Sequence, residues 1–515
     1  MKVKFFGHNC FLLQGKKISV LSDPWLSDKG AFFGSWFQWP INHDLKPKLI
    51  AELTYGKQVI LYISHEHQDH FDIETLNLLL PYIDKCVIPK YHDSYLLDEL
   101  ESIGYQVIEL EDHQKYYLSD IDFIELMITD TGVNHDSTAI VNLDNEVFVN
   151  QNDCKIFDRL KYLEDKKVDY YALQFSGANW YPVCYSMEDV EKNDISKKKV
   201  FSRLVAVRNA IKLLNPTYYF PSAGPAIFPF LNKELSLNKS TIFVHQPDLI
   251  KFLEKSNTKV ICLRPGEEFN QGIDNLPIIP PSITELKVLK KQLNCSFEKL
   301  NENELDVVLL KEQILLRLQK IKDLKFDSCP PLIFSWGDQG LKIDLNKGTV
   351  IELKISDYDW ENEYMSVKAT PAYFGLMANP KYRWQNIYLS LRATIQRKPN
   401  SFNTFINIFL YSDLSNIRSG FETTININEE RIVVVNQHNG KNYEIDRFCP
   451  HNGADLKGAK IDDNGYLICP RHAWLFDLER NGKCKTAAST IDAKEIEKTI
   501  TLCETISTRL LKIDN

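Results

Sequence analysis

The stretch "SHEHQDH", residues 64–70, decides the fold that we predict for the first half of this chain. It follows the apolar run "QVILYI", which is typical of a buried strand. In extended backbone, residues two apart face the same side, so His65 and His67 can bind one metal ion, and the turn that follows directs Asp69 and His70 towards a second. Imidazole and carboxylate suit Zn, Fe, Mn or Ni and leave positions for water or substrate. The alternative interpretation is a solvated polar loop.

The pattern H-x-H-x-D-H resembles the signature of the metallo-β-lactamase superfamily, and the resemblance implies an αββα sandwich. Further ligands of that superfamily follow later strands, and this chain offers His135, Asp153 and His245 in that order, each beside a β-type run. Taken singly, His135 and His245 fit a surface or core position as well as they fit a ligand position. The implied assignment is His65, His67 and His135 on one metal ion, Asp69, His70 and His245 on the other, and Asp153 as the bridge.

The opening segment "FFGHNCFLLQGKKISVLSDPWL" resembles a sub-branch of the same superfamily that contains lactonases and phospholipases. The resemblance implies that His8 and Asp23 lie near the metal ions and orient their ligands. For His8 the alternative is a hydrogen-bonded histidine at the end of a strand.

A second cluster lies near the C-terminus, where residues 449–472 read "CPHNGADLKGAKIDDNGYLICPRH". Two Cys-His pairs can hold zinc, but zinc fingers usually pair like ligands. The pattern C-x-H, a 17-residue spacer and C-x-x-H, followed by "AWLFDLERNGKC", resembles a Rieske domain. The resemblance implies that Cys449 and Cys469 bind one iron of a [2Fe-2S] cluster and that His451 and His472 bind the other.

One departure from part of the Rieske family is informative. High-potential members carry an extra cysteine after each ligand pair, whereas this chain has Asn452 and Gly453 after the first pair and Ala473 and Trp474 after the second. The domain therefore resembles the lower-potential, soluble type that supplies electrons to oxygenases.

The chain divides into three predicted segments of an α/β protein. Residues 1–275 alternate β-type and helical runs, as in a layered domain with a dinuclear metal site. The Pro-rich stretch "LPIIPPSITELK" marks a boundary, after which residues 276–420 form a mixed α+β segment with a connecting or oligomerisation role. No chemistry-bearing cluster is visible there. Residues 421–515 alternate like a small all-β domain, which is the predicted Rieske domain.

Composition excludes several classes of function. A net charge of −8 offers no electrostatic footprint for nucleic acid. No apolar run reaches the roughly 18 residues of a membrane span. The start of the chain lacks the pattern of a signal peptide, and the eleven cysteines are scattered, which suits a reducing compartment. We therefore expect a mature cytoplasmic protein.

The two clusters together predict an oxidoreductase. A Rieske cluster passes single electrons, and zinc is redox-inert, so the fusion favours two iron ions in the first site. We predict a Rieske-coupled diiron monooxygenase that activates O2 and hydroxylates or N-oxygenates a small polar substrate. The alternatives are a dizinc hydrolase with a redox-sensing or structural Rieske module, and a non-catalytic electron carrier.

Among such fusions, the segments "LQFSGANWYPVCY" (173–185) and "CLRPGEEFN" (262–270) resemble the CMP-N-acetylneuraminate hydroxylase family. The domain order differs, since the Rieske module comes first in that family, and the substrate of the family is therefore not carried over.

The remaining predictions concern partners and the substrate pocket. Because the sequence has no nicotinamide or flavin fingerprint, we expect an external ferredoxin or flavin reductase as electron donor, and a homodimer is compatible with the middle segment. Aromatic-rich loops suggest substrate contacts from Asn179, Trp180, Tyr181 and Ser222, although such runs are often core. No constellation of Lys and Arg suggests a phosphate site.

Overall fold

The structure is a computed structural model, and the residues that it describes are 1–130, 135–231, 235, 240–254, 258–271, 276–295, 297, 305–428, 430–450, 453–471, 473–487 and 489–496.

Two seven-stranded sheets form the first part of the chain. The first sheet contains, in spatial order, β14 (Glu267–Glu268), β1 (Lys2–Gly7), β2 (Cys10–Gln14), β3 (Ile18–Ser22), β4 (Gln58–Tyr62), β5 (Lys85–Pro89) and β6 (Val107–Leu110). The second contains β13 (Lys259–Val260), β12 (Tyr218–Ser222), β11 (Tyr170–Gln174), β10 (Glu146–Asn152), β9 (His135–Leu143), β8 (Phe123–Asp130) and β7 (Lys115–Tyr117).

Helices cover the outer faces of both sheets. They are α1 (Lys46–Leu53), α2 (Ile73–Leu79), α3 (Tyr95–Ile103), α4 (Asp189–Leu214) and α5 (Gln246–Leu253). Apolar side chains from both inner faces, such as Phe11 and Phe148 with ring centroids 5.2 Å apart, fill the space between the sheets. Strands such as β4 are buried on both faces, which explains their nearly continuous apolar sequence.

The strand directions bring the polar loops to one edge of the sandwich. Strands β3 to β6 run parallel to one another, as do β10 to β13. Ligands of open α/β sheets bind outside the carboxyl ends of such strands. Asp23 follows β3, residues 64–70 follow β4, and Asp153 follows β10 at this edge. His135 joins them because β9 is antiparallel to β10 and begins there.

The middle segment has its own five-stranded sheet. Its spatial order is β17 (Thr349–Lys354), β16 (Gln339–Asp344), β15 (Leu332–Trp336), β18 (Tyr364–Lys368) and β19 (Thr394–Lys398). The helices of this part of the chain are α6 (Ile283–Gln292), α7 (Val307–Ile321), α8 (Pro371–Ala378), α9 (Trp384–Leu389), α10 (Thr404–Tyr411) and α11 (Ile417–Asn428). The predicted boundary at 421 falls inside α11.

The middle segment shares one core with the sandwich. Trp36 of the sandwich donates from Nε1 to the carbonyl of Leu389, at 2.7 Å, and the ring of Trp36 packs in the same apolar cluster as Phe334 of β15. The segment is therefore built into the first domain and is more than a linker.

The C-terminal part consists of two small sheets around a separate core. One sheet contains β20 (Arg431–Asn436), β21 (Lys441–Asp446) and β25 (Lys494–Ile496), and the other contains β22 (Tyr466–Ile468), β23 (Leu475–Asp477) and β24 (Lys483–Cys484). The buried thiols of Cys449 and Cys469 belong to this core. Among the helices that the structure describes, none has the length and apolar character needed to cross a membrane.

Candidate functional site

The loops after β4 and β10 bring three ligand-type side chains together. Donor atoms of His65, His67 and Asp153 all lie within 4.8 Å of one another. The closest pair is His65 Nε2 and His67 Nδ1, at 2.8 Å. Burial and the neighbouring His65 lower the pKa of His67 to about 4, which keeps its imidazole in the neutral form that binds metal ions.

A second group of the same kind lies beside the first. Donor atoms of His8, Asp69 and His70 lie within 4.8 Å of one another. His8 Nε2 is 3.2 Å from Asp69 Oδ2 and 3.3 Å from His70 Nε2. His8 reaches this position from the tight turn between β1 and β2, where its φ is 51°. The structure thus places His8 among the ligand-type side chains, whereas the sequence analysis expected it to orient the ligands.

Asp153 lies between the two groups. Its Oδ1 is 3.5 Å from His70 Nε2, although its closest ligand-type neighbours are His65 and His67. Burial opposes ionisation, but the nearby imidazoles of His70 and His65 hold the pKa of Asp153 well below its usual range. A carboxylate at this position can contact two cations at once.

Buried carboxylates orient the histidines of both groups. Asp23 Oδ2 is 2.8 Å from His70 Nδ1, and Asp23 also accepts hydrogen bonds from Ser64 N at 2.8 Å and from Asn9 Nδ2 at 2.7 Å. Asp136, which the sequence analysis did not single out, lies 3.3 Å from His65 Nδ1. Such carboxylate–histidine pairs fix the ring orientation of metal-binding histidines.

His135 and His245 lie apart from both groups. His135 stacks on Tyr91, with ring centroids 4.8 Å apart, and this packing directs its Nδ1 towards Glu66 at 3.5 Å. Its donor atoms form a third group with His92 and Asp130. His245 precedes α5, and burial lowers its pKa to about 4. The structure therefore differs from the expected assignment, in which His135 joins the first group and His245 the second.

The donor set fits metal ions. Buried polar atoms of these groups that have no hydrogen-bond partner within the described part of the chain include His8 Nδ1 and Asp153 Oδ1. Buried polar groups without partners are costly and rare, and cations would compensate the two carboxylates of these groups. Nitrogen and oxygen ligands of this kind suit zinc and iron alike.

The middle segment reaches this site, which the sequence analysis did not predict. His67 Nε2 is 2.8 Å from the hydroxyl of Tyr411 in α10 and 3.2 Å from Nε2 of Gln385 in α9. Arg383 pairs with Glu66 at 3.4 Å and also with Asp413. The sequence of residues 276–420 shows no chemistry-bearing cluster, because these side chains come from isolated positions with no local pattern.

A cavity of about 200 Å³ opens beside the first group. His67, Asp136 and Asp153 lie at one part of its wall. Of the predicted substrate contacts, Asn179, Trp180 and Tyr181 also line it. Ser222 does not, because it is buried at the end of β12.

Five basic side chains line the cavity as well. They are Lys155, Lys199, Arg203, Arg397 and Arg471. No constellation of Lys and Arg that suggests a phosphate site is visible in the sequence, whereas the fold brings these five residues together. Lys199 and Arg203 are four residues apart, so they share one face of a helix. The other three residues are distant from them in sequence and carry no local signal.

Residues of the C-terminal part close the cavity. Arg471, Trp474 and Ala487 belong to its wall. Arg471 pairs with Asp158 at 3.3 Å, and Thr404 at the start of α10 donates from Oγ1 to the carbonyl of Pro450 at 2.8 Å. The two cysteine loops therefore lie against the domain that holds the metal-ligand groups.

The two cysteine loops share one backbone geometry. Each cysteine N–H donates to the carbonyl five residues later, and each cysteine carbonyl accepts from the N–H four residues later. The bonds are Cys449 N to Ala454 O (2.9 Å), Gly453 N to Cys449 O (2.9 Å), Cys469 N to Trp474 O (2.8 Å) and Ala473 N to Cys469 O (2.9 Å). Paired loops with buried cysteines fit a cluster held between them. His451 and His472 lie outside the described residues.

Comparisons with known families agree with this architecture. A family model described as "Beta-lactamase superfamily domain" matches residues 2–152, and one described as "Rieske [2Fe-2S] domain" matches residues 407–497. The chain thus contains a metallo-β-lactamase-like domain followed by a C-terminal Rieske domain, and the predicted mixed α/β fold class is confirmed.

Individual relatives cover parts of the chain. A protein of Mycolicibacterium smegmatis named as a Rieske 2Fe-2S iron-sulfur protein is 32% identical over 269 residues, which are 50% of each chain. The ferredoxin component of an alkene monooxygenase system of Xanthobacter autotrophicus is 26% identical over 81 residues, which are 16% of this chain and 66% of the relative. The metallo-β-lactamase fold protein YhfI of Bacillus subtilis is 14% identical with a TM-score of 0.34, over 52% of this chain and 99% of that protein. The chain spans about half the length of the first of these relatives.

Proposed function

We propose that this protein is a Rieske-coupled monooxygenase that inserts one oxygen atom of O2 into a carbon or nitrogen centre of a small polar substrate. One observation carries the proposal. Arg471, Trp474 and Ala487 of the Rieske domain form part of the wall of the same cavity that His67 and Asp153 line. A domain of the type that passes single electrons therefore shares a cavity with the metal-ligand groups, and since hydrolysis does not use electrons, this supports an oxidation reaction.

Two contacts of α10 support a short electron path. Its first residue, Thr404, contacts Pro450 in the first cysteine loop, and its last residue, Tyr411, contacts His67. Seven steps of 1.5 Å place these ends about 10 Å apart along the helix. A cluster held by the cysteine loops would therefore lie close to the metal-ligand groups within one chain.

The residues of the two groups would hold a pair of iron ions, which supply O2 activation when reduced. The overall reaction consumes the substrate, one O2, two electrons and two protons, and it yields the oxygenated product and water. Cys449 and Cys469 would hold the Rieske cluster with the two histidines of the motif, and the cluster would supply electrons one at a time.

The chain's own residues then have defined tasks. Asp23 and Asp136 hold the rings of His70 and His65 in place. Trp180 packs against Tyr411, with centroids 5.3 Å apart, and both line the cavity, so they exclude water from the reacting atoms. An external ferredoxin or flavin reductase would supply the electrons, because the sequence has no nicotinamide or flavin fingerprint.

The test is a single-turnover experiment on protein purified without oxygen. We expect two acid-labile sulfides and four irons per chain, two of them in the cluster. After reduction with dithionite and removal of excess reductant, O2 should restore the visible absorbance of the oxidised cluster. The matched control is His67→Ala, which keeps the cluster but removes a residue of the first group.

Two results would oppose the proposal. One is reoxidation at the same rate in His67→Ala, which would mean that O2 reacts at the cluster itself. The other is a chain that holds two zinc ions beside the cluster and hydrolyses substrates without O2 or reductant, which would favour the dizinc hydrolase.

A further inference from the structure

Three basic side chains of the cavity wall come from elements that carry none of the metal-ligand groups. Lys199 Nζ donates to the carbonyl of Tyr181 at 2.9 Å and lies 3.4 Å from Asn179 Oδ1, and Arg397 Nε donates to Asn400 Oδ1 at 2.9 Å. These acceptors are neutral. We call Lys199, Arg203 and Arg397 the cationic wall. Within the described ranges, none of these three residues forms an ion pair with a carboxylate.

The three charges of the cationic wall repel one another. Lys199 Nζ and the guanidinium of Arg397 both lie over the ring of Tyr181, at 5.1 and 5.0 Å from its centroid. Burial, followed by the charges of Arg203 and Arg397, lowers the pKa of Lys199 to about 7. The charge of Asp153 offsets part of the charge of Arg203. None of the three has an ion-pair partner within the described ranges, and like charges that are shielded from water destabilise a fold, so the arrangement indicates a missing anion.

The remaining basic residues of the cavity are already occupied. Arg471 pairs with Asp158, and Lys155 donates to Gln174 Oε1 at 2.9 Å and to the carbonyl of Asp153. Lys155 therefore stands at the metal-ligand part of the cavity, next to the carboxylates of Asp136 and Asp153. The cavity has an acidic part that suits cations and a basic part that suits anions.

We propose that the cationic wall binds an oxyanion group, a carboxylate or a phosphate, of the substrate. The guanidinium groups of Arg203 and Arg397 offer the geometry that binds such groups with two hydrogen bonds. The anchored group holds the rest of the molecule across the cavity, with its reacting atom towards His67 and Asp153. The inference rests on the proposed function for the reaction at the metal-ligand part, and it adds the substrate class.

The test measures binding of phenyl phosphate, benzoate and neutral benzyl alcohol to the oxidised holoprotein by isothermal titration calorimetry. The variants are Arg203→Gln and Lys199→Met. The matched controls are Arg208→Gln and Lys198→Met, on the same helix α4 but outside the cavity wall. In the parent, the guanidinium of Arg208 lies over Phe252 and Lys198 pairs with Asp194.

We expect one or both anionic probes to bind and benzyl alcohol to bind at least tenfold more weakly. Each cavity variant should weaken the anion about ten- to a hundredfold, because one charge-assisted hydrogen bond is lost, whereas the controls should not change it. The stronger of the two anions identifies phosphate or carboxylate as the group recognised. Without any probe, both cavity variants should have a higher Tm than the parent, because one repelling charge is gone.

Two outcomes would overturn the inference. In one, neither anion binds. In the other, anions bind equally well to the cavity variants, which would assign them to the metal ions. Binding is measured without reductant and without turnover, so it can succeed while the single-turnover experiment fails, and the reverse also holds. The two proposals therefore fail separately.

Discussion

The substitution Asp23→Asn tests whether the buried carboxylate behind His70 controls the metal site. Asp23 is fully buried and accepts four hydrogen bonds, from Ser64 N, Ser64 Oγ, Asn9 Nδ2 and His70 Nδ1, at 2.6 to 2.8 Å. Asparagine has nearly the same shape, but its amide nitrogen would face donors at the position of Oδ2. The change therefore removes charge and hydrogen bonds without opening a cavity.

The expected magnitudes follow from these contacts. Three of the four bonds end at Oδ2, where an amide nitrogen can still donate to Ser64 Oγ but cannot accept from Asn9 Nδ2 or His70 Nδ1. Loss of these two hydrogen bonds to a charged group costs about 3–6 kcal/mol of unfolding free energy, at about 1.5–3 kcal/mol each. Loss of the group that orients a metal-binding histidine lowers metal affinity about 10- to 100-fold. This corresponds to about 1.4–2.8 kcal/mol of binding free energy.

The assay combines chelator competition for the metal ions with unfolding in urea. The matched control is Asp72→Asn, because Asp72 is also buried and accepts from Ser27 N at 2.9 Å and Leu26 N at 3.2 Å, but it belongs to none of the metal-ligand groups. The control should lose stability and keep its metal affinity. The reasoning is refuted if Asp23→Asn keeps its metal ions as tightly as the parent, or if Asp72→Asn loses them to the same extent.

Three further outcomes are expected. Tyr411→Phe removes the hydroxyl next to His67 and should lower metal affinity about tenfold, with the visible spectrum of the cluster unchanged; an altered spectrum would contradict the assignment. Cys449→Ser should abolish the electron paramagnetic resonance signal of the reduced cluster while metal analysis still finds the ions of the first site. Burial and the charges of Arg203 and Arg397 lower the pKa of Lys199 to about 7 in the folded protein. Above pH 7 the unfolded state therefore binds more protons than the folded state, so the free energy of unfolding should rise between pH 7 and 10. Urea unfolding across this range should show a smaller rise in Lys199→Met than in the parent.

The local parts of the site could be predicted from the sequence. The run that forms β4 is apolar because both faces are buried, and the dense polar motif after it must lie at the carboxyl end of the strand. The residues of that motif reach the same edge as Asp23 and Asp153 because β3, β4 and β10 all end there. The cysteine spacing likewise predicted the Rieske domain, since both loops carry their ligands within four residues.

The long-range parts could not be predicted in this way. Tyr411 contacts His67 across 344 positions of sequence, and its signal is a single tyrosine in an apolar helix. The position of His8 depends on a left-handed turn, and that of His135 on stacking against Tyr91. The cationic wall combines α4 with β19, two elements that have no shared pattern in the sequence. Such contacts arise from the packing of distant elements, which the periodicity of the sequence does not predict.

The Rieske residues in the cavity wall have a thermodynamic consequence. A molecule in the cavity changes the surroundings of Trp474 and Arg471, which lie next to or near the ligands of the second cysteine loop. If a bound molecule shifts the midpoint potential of the cluster, linkage requires that reduction of the cluster shifts the affinity for that molecule by the same free energy. A substrate that raises the potential would then bind more tightly to the reduced protein, and the cluster would be readily reduced only after a substrate had arrived.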